Sequence, residues 1–262
     1  MGFLSDLVER LRTELREHPP DESRLLARAR AMPPPRPFEA ALRERHPSPA
    51  LIAEVKRASP SAGEIRADAD PRALALAYVA AGAAAISVLT EPRHFQGSLS
   101  DLRAVRSSVA VPVLRKDFHV HPAQLIEARA AGADAVLVIA AAVSDDELTA
   151  LLATATDLGL DVLLEAHGDE DLDRALATDT PVVGVNARDL ETLEVDVPAA
   201  LERIRRVPGD RVAVLESGIA GRADVDAAVL AGASAILVGE SLMRADDPAR
   251  AVRKLLWREL RT

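Results

Sequence analysis

Residues 131–139 read Ala131-Gly132-Ala133-Asp134-Ala135-Val136-Leu137-Val138-Ile139. An Ala-rich helical pattern ends there on a glycine, which supplies the left-handed stop of a helix. An unbroken apolar run follows, the pattern of a strand buried on both faces. The same passage recurs as Ala81-Gly82-Ala83-Ala84-Ala85 and Ala231-Gly232-Ala233-Ser234-Ala235, so the glycines lie 50 and 100 residues apart. A recurrence of this kind marks a periodic fold and carries no chemistry. Working outward, comparable runs occupy 51–56, 85–89, 111–115, 135–139, 161–165, 182–186, 212–216 and 235–239, with a helix-length segment in each gap. Parallel strands joined by helices in this number predict a (β/α)8 TIM barrel. The alternative, a doubly wound open sheet, calls for a Gly-rich turn after its first strand. The segment after Lys56 offers only Gly63.

The first 48 residues have a different rhythm. Phe3, Leu4, Leu7, Val8, Leu11 and Leu15 share one helical face, and His18-Pro19-Pro20 ends that helix. A second short helix is expected over 21–31, then a stiff link through Pro33, Pro34, Pro35 and Pro37, then a third helix from Phe38 to Arg45. We read 1–48 as an N-terminal helical extension packing on the barrel and 49–262 as the barrel, one structural domain overall. A regulatory or partner-binding arm is the alternative reading of the extension.

Of the 262 residues, 48% are hydrophobic and 28% charged, enough apolar residues for a sizeable core. With 41 acidic against 32 basic residues the formal charge is −9, which argues against nucleic acid or anionic membranes as partners. A small anionic ligand is still compatible, because a local field can oppose the net charge. The chain has no cysteine, which excludes disulfides, thiolate metal sites and cysteine nucleophiles or bases. Asp6, Glu9 and Arg10 interrupt any signal-peptide core, and Asp6 stands where an acylation signal beginning at Met1-Gly2 would have Ser or Thr. No apolar run reaches the ~18 residues of a membrane span. A cytoplasmic enzyme without a fused partner is expected, as a monomer, with a weak dimer as the alternative.

In a barrel of this kind the active site lies at the carboxyl ends of the strands. Strand one brings Glu54 and Lys56, which alternate and share a face. Strand three leads into Lys116, strand five ends at Glu165, and strand six ends at Asn186 with Arg188 just beyond. Strand seven ends at Glu216-Ser217-Gly218, and strand eight at Gly239-Glu240-Ser241. Three carboxylates and two lysines would converge at one mouth and shift one another's proton affinities, as acid–base work at neutral pH requires. The two glycine turns at strands seven and eight fit phosphate binding on backbone N–H groups. Arg57-Ala58-Ser59-Pro60-Ser61-Ala62-Gly63 would hang over the mouth as a lid. His119, His121 and His167 could be imagined as metal ligands, but the first two fall past the rim and are expected at the surface. No metal is expected.

Several stretches together resemble indole-3-glycerol phosphate synthases of tryptophan biosynthesis. They are Ile52-Ala53-Glu54-Val55-Lys56-Arg57-Ala58-Ser59-Pro60-Ser61, Phe95-Gln96-Gly97-Ser98, Leu114-Arg115-Lys116-Asp117-Phe118, Gly184-Val185-Asn186-Ala187-Arg188-Asp189-Leu190, Glu216-Ser217-Gly218-Ile219 and Val238-Gly239-Glu240-Ser241-Leu242-Met243-Arg244. The likeness covers about 50–255, and the helical extension fits it. It implies decarboxylative ring closure of 1-(2-carboxyphenylamino)-1-deoxyribulose 5-phosphate to indole-3-glycerol phosphate, CO2 and water. It implies no metal or organic cofactor. By resemblance, Lys116 is the general acid and Glu165 its acid/base partner. Glu54 with Lys56 would serve the dehydration and hold the substrate carboxylate. Asn186 and Glu216 would orient hydroxyls and lysines, and Ser217 and Arg188 would complete the rim. The phosphate would lie on Gly218, Gly239 and Glu240 near Ser59. Phe95, Phe118, Leu137 and Leu190, with Leu237, would wall the aromatic ring. The chain departs from the family pattern at His121, Ala123, Ala187 and Leu215.

Three other readings compete. Phosphoribosylanthranilate isomerase resembles the same plan but is expected to use a cysteine base, which is absent here. A metal-dependent hydrolase would use the three histidines. A non-enzymatic barrel would have lost the acid–base set, which this chain retains.

Overall fold

The computed structural model describes residues 2–44 and 49–256. Arg45, given above as the end of the third helix, the boundary at Ser48 and the last residues of the barrel segment lie outside the described residues.

The strands are β1 (Ala50–Val55), β2 (Ala85–Leu89), β3 (Val113–Lys116), β4 (Ala135–Ile139), β5 (Asp161–Ala166), β6 (Val182–Asn186), β7 (Val212–Glu216) and β8 (Ala235–Val238). Each pairs in parallel with the next, and β8 closes on β1 through Ala50↔Ala235 to Ala53↔Val238. This is the expected (β/α)8 barrel. Every strand is Val-, Leu-, Ile- or Ala-rich because both faces are covered, the inner by opposing strands and the outer by helices. β3 starts two residues later than the apolar run suggested, because Pro112 has no N–H for the ladder.

Helices cover the outside: α4 (Pro71–Ala80), α5 (Leu99–Arg106), α6 (Pro122–Ala131), α7 (Asp145–Leu158), α8 (Asp169–Leu176), α9 (Val197–Ile204), α10 (Arg222–Ala231), the short α11 (Glu240–Met243) and α12 (Pro248–Leu256). They follow three N-terminal helices, α1 (Phe3–Glu17), α2 (Glu22–Ala31) and α3 (Phe38–Arg43). The repeated glycines hold the left-handed backbone the sequence required, with φ of 110° at Gly82, 95° at Gly132 and 108° at Gly232. Among the described residues no helix is long and apolar enough to cross a membrane.

The N-terminal helices are fastened by specific bonds. Leu4, Leu7 and Val8 of α1 join the main core, and Phe38 and Leu42 of α3 are fully buried against the amino ends of β1, β2 and β7. Two strand-start aspartates hold the link between α2 and α3. Asp134, with no exposure, accepts Arg36 N at 2.8 Å and Val113 N at 2.9 Å and pairs with Arg106 Nε at 3.0 Å. Asp161 Oδ2 accepts Phe38 N at 2.7 Å and Glu39 N at 3.0 Å, satisfying the free donors at the start of α3. Removing Asp134 would leave two N–H groups and a guanidinium without their buried acceptor. Asp134→Ala is therefore expected to lower the unfolding free energy by about 3 kcal/mol, measured by urea denaturation at neutral pH. A loss below ~1 kcal/mol, the scale of a surface pair, would contradict this account.

Candidate active site

The carboxyl ends of the strands enclose a cavity of about 430 Å³. Every site residue singled out from the sequence lines it: Glu54, Lys56, Ser59, Phe95, Lys116, Phe118, Leu137, Glu165, Asn186, Arg188, Leu190, Glu216, Ser217, Gly218, Leu237, Gly239 and Glu240. They come from all eight strand ends and the loops after them, so closure of the sheet is what brings them together.

The charged groups form one connected cluster. Lys116 Nζ lies 3.4 Å from Glu165 and 3.5 Å from Glu216, and Lys56 Nζ lies 2.9 Å from Glu54. Glu54, Glu165 and Glu216 are all nearly inaccessible to water. Burial alone would push Glu54 up. The Lys56 and Lys116 cations outweigh it, helped by Ser87, and hold its carboxyl below the usual carboxylate range. Burial likewise opposes the charge on Lys116, yet Glu165, Glu216 and Glu54 raise its affinity for the proton and keep it an ammonium. Glu216 goes the other way. Burial and the adjacent Glu165 raise it well above the ordinary range, and the shared Lys116 only partly offsets them. Neither Glu216 oxygen has a hydrogen-bond partner among the described residues. The cluster thus sets an ammonium and a carboxylate of lowered proton affinity beside a carboxyl of raised proton affinity, the division that acid–base chemistry uses.

Asn186 fixes Glu165 by donating Nδ2–H to Oε1 at 3.0 Å. Its own Oδ1 accepts Arg188 N at 2.9 Å, and its carbonyl lies 2.9 Å from His167 Nδ1. The Arg188 guanidinium is turned onto the Leu193 carbonyl at 2.8 Å. Ser217 and Gly218 stand in succession at φ 64° and 72°. Ser217 pays for a left-handed conformation that serine rarely adopts, and such strain collects where a ligand must meet the backbone. The segment after β1 is an ordered hairpin of Ala58–Ser59 and Gly63–Glu64. Arg57 holds its base on Asp101 at 2.6 and 3.1 Å and on the Gln96 carbonyl at 3.2 Å.

The apolar side is larger than the sequence suggested. Phe3 of α1 reaches the cavity and meets Phe118 edge-on at 6.3 Å and His94 at 5.0 Å, while Phe95 lies 6.1 Å from Phe118. Leu89, Ile139, Leu193 and Val195 also line it, and Arg244 extends the rim, where it bonds Glu240 at 3.1 Å. Phe3 lies far from the barrel motifs in the chain, and no local pattern marks it. Arg244 stands one turn after Glu240, a spacing that could have flagged it.

The histidines need one correction. His119 was expected at the surface and is buried. Its Nδ1 lies 2.6 Å from the Leu137 carbonyl, and Nε2 has no partner among the described residues. The chain turns inward after β3, bringing residue 119 beneath β4 instead of over the rim. His121 is exposed as expected and caps α6 with Gln124. His167 lies 3.4 Å from Asp189. Among the described residues no three His, Asp or Glu side chains are grouped to hold a metal ion. The departures at Ala187 and Leu215 are packing positions, both buried, and the Ala187 backbone spans Glu216 O and Asp196 N at 2.9 and 2.8 Å.

Residues 4–255 match the family model described as indole-3-glycerol phosphate synthase. The chain belongs to the indole-3-glycerol phosphate synthase family. It is 48% identical over 255 residues to the indole-3-glycerol phosphate synthases of Mycobacterium avium (strain 104) and Mycobacterium tuberculosis (strain ATCC 25618 / H37Rv), covering 97% of this chain and 93% of each relative. Among solved structures it resembles a 3-hexulose-6-phosphate synthase, with a TM-score of 0.63 at 20% identity over 79% of this chain and 97% of that one. A thiamine phosphate pyrophosphorylase from Pyrococcus furiosus gives 0.61 at 15% identity, over 82% and 95%. These two likenesses show the barrel alone. The activity is that of the family: an indole-3-glycerol phosphate synthase, a carboxy-lyase of tryptophan biosynthesis acting on a phosphorylated small molecule. The isomerase, hydrolase and non-enzymatic readings lapse with it.

The burial of His119 predicts a loss of stability in acid. Burial and the Arg115 cation depress its proton affinity to about 4, only partly countered by Asp117 and the Leu137 carbonyl. In the unfolded chain an ordinary histidine takes up its proton near 6.5. The unfolded state therefore binds more protons as pH falls from about 6.5 toward about 4, and stability drops through that window. Asp117, held below its usual range chiefly by the neighbouring Arg115 against the cost of its burial, stays ionised over most of it. His119→Leu is expected to flatten the fall of melting temperature between pH 6.5 and 4 relative to the parent protein. Parallel curves for the two proteins would show that His119 is not the group responsible.

Proposed function

We propose that the cavity cluster divides the ring closure as follows, the carrying observation being Lys116 held as an ammonium between Glu165 and Glu216. The aryl ring enters against Phe95, Phe118, Leu137, Leu190 and Leu237, with Phe3 closing the outer side. The phosphate lies on the backbone N–H groups of Gly218, Gly239 and Glu240. Ser59 stands beside it, its hydroxyl accepting Ala62 N at 3.2 Å and lying 3.5 Å from the Ser61 hydroxyl. Arg188 and Ser217 complete the grip at the rim.

The ring carbon that bears the carboxylate attacks the ketone carbon. Lys116 donates its proton to the ketone oxygen as charge develops there. The carbon–carboxylate bond then breaks, CO2 leaves, and its electron pair restores the aromatic ring. The new hydroxyl leaves as water, taking a proton from the Glu54–Lys56 pair while the ring nitrogen supplies electrons. Glu165, oriented by Asn186, removes the remaining proton to complete the indole. Glu54 with Lys56 also holds the substrate carboxylate before it is lost, and Glu216 orients substrate hydroxyls and Lys116. No metal or organic cofactor enters these steps. One chain supplies every group named, which favours a monomer as the acting unit, and the cytoplasm is the expected compartment.

Lys116→Ala is expected to lower kcat by about 10²–10⁴-fold, the range of a lost general acid. Substrate affinity should change far less, since the phosphate and ring contacts stay. Indole fluorescence gives the rate, and equilibrium binding of the reduced, unreactive substrate analogue gives the affinity. Near-parental kcat would remove Lys116 from this role.

A further inference from the structure

Gly184 sits in the middle of β6, paired with Glu165 on β5 and Val214 on β7. Paired residues of parallel strands share a face, so position 184 points into the barrel as Glu165 does. A side chain is absent where neighbouring strands carry inward groups, and the space is filled from β7. A Cβ placed on Gly184 would overlap Glu216 Oε1 and lie 3.5 Å from its carboxyl carbon. Its other near neighbour would be Leu163 Cδ1 at 3.2 Å, a methyl that can give slightly. The Gly184 backbone is not left-handed, so glycine is not needed there for its conformation. Glycine in a strand interior otherwise weakens it, and marks a place where another group must come close.

We propose that Gly184 is a positioning residue whose missing side chain seats the Glu216 carboxyl, so that this position is glycine for the chemistry and not for the fold. Glu216 has no hydrogen-bond partner of its own among the described residues to hold it. Its place 3.5 Å from Lys116, beside Glu165, is set by the shape of the bare β6 backbone beneath it. The atom an added methyl would displace is the far end of a flexible side chain. Alanine therefore fits by pushing the carboxyl away from Lys116 and leaves the barrel intact. Gly184 does not line the cavity, so the phosphate and ring contacts are unaffected and the change reaches the substrate only through Glu216.

The proposal rests on the placement of Glu216 in the reacting cluster, and the test separates the two. Gly184→Ala should keep or raise the melting temperature, leave KM within about twofold and lower kcat by about 100-fold, the scale of an ångström-sized misplacement. In a Glu216→Asp background the shorter side chain no longer fills the seat. Adding Gly184→Ala to that variant should then cost less than about threefold, a strong departure from additivity. Equal losses in both backgrounds, a parental kcat in Gly184→Ala, or a collapse of its melting temperature would each overturn the proposal. Full activity of Glu216→Asp alone would remove Glu216 from the chemistry, and the seat would then have no purpose.

Discussion

The rest of the site depends on one constraint: a lysine ammonium, only slightly exposed, is surrounded by three glutamates that come from different strands. Lys116 is on β3, Glu54 on β1, Glu165 on β5 and Glu216 on β7. An isolated charge at that depth would be prohibitive, and removing one partner of a buried pair leaves the other stranded. The charges coexist because the barrel fixes their separations and sets opposite signs side by side. This balance makes the cluster reactive.

Behind the cluster a second buried polar layer holds the end of β3 in place. Arg115 points away from Lys116 on the alternate face and bonds Thr90 and Asp117 at 3.0 Å and the Gln124 carbonyl at 3.0 Å. Gln124 in turn accepts Val120 N at 2.8 Å and donates to the Phe118 carbonyl at 3.0 Å. The β3–β4 ladder stops at Arg115↔Val136, and the His119 side chain carries the connection onward to Leu137. Lys116 and Phe118, one charged and one apolar wall of the cavity, are thus aimed by residues of which only Asp117 lines it.

The N-terminal extension extends the same logic to the outer rim. Phe3 N and Leu4 N bond the Glu191 and Leu190 carbonyls at 3.3 and 3.1 Å, while Arg10 reaches Glu91 at 3.2 Å. Glu91, almost fully buried, also accepts His94 N at 2.6 Å. Helix α1 therefore ties the loop that carries Phe95 to the loop that carries Leu190, and places Phe3 between them. At the opposite end of the barrel α3 plugs the floor, anchored by Asp134 and Asp161. The extension braces both ends of the barrel.

The sequence by itself determined the strand and helix periods, the glycine stops and the charged residues at the strand ends. These are local properties, fixed by apolar run length, φ preference and side-chain alternation, and they place the barrel strands within a residue or two and the charged residues at the mouth of the cavity. The family motifs added roles to those positions. The closed barrel added that Phe3 lines the cavity, that His119 is buried, that Glu216 and Glu54 are shifted in opposite directions, and that Glu216 lies over the bare backbone of Gly184. Each of these depends on groups distant in the chain meeting across a closed sheet, where burial and neighbouring charge set protonation. No spacing within one segment encodes that.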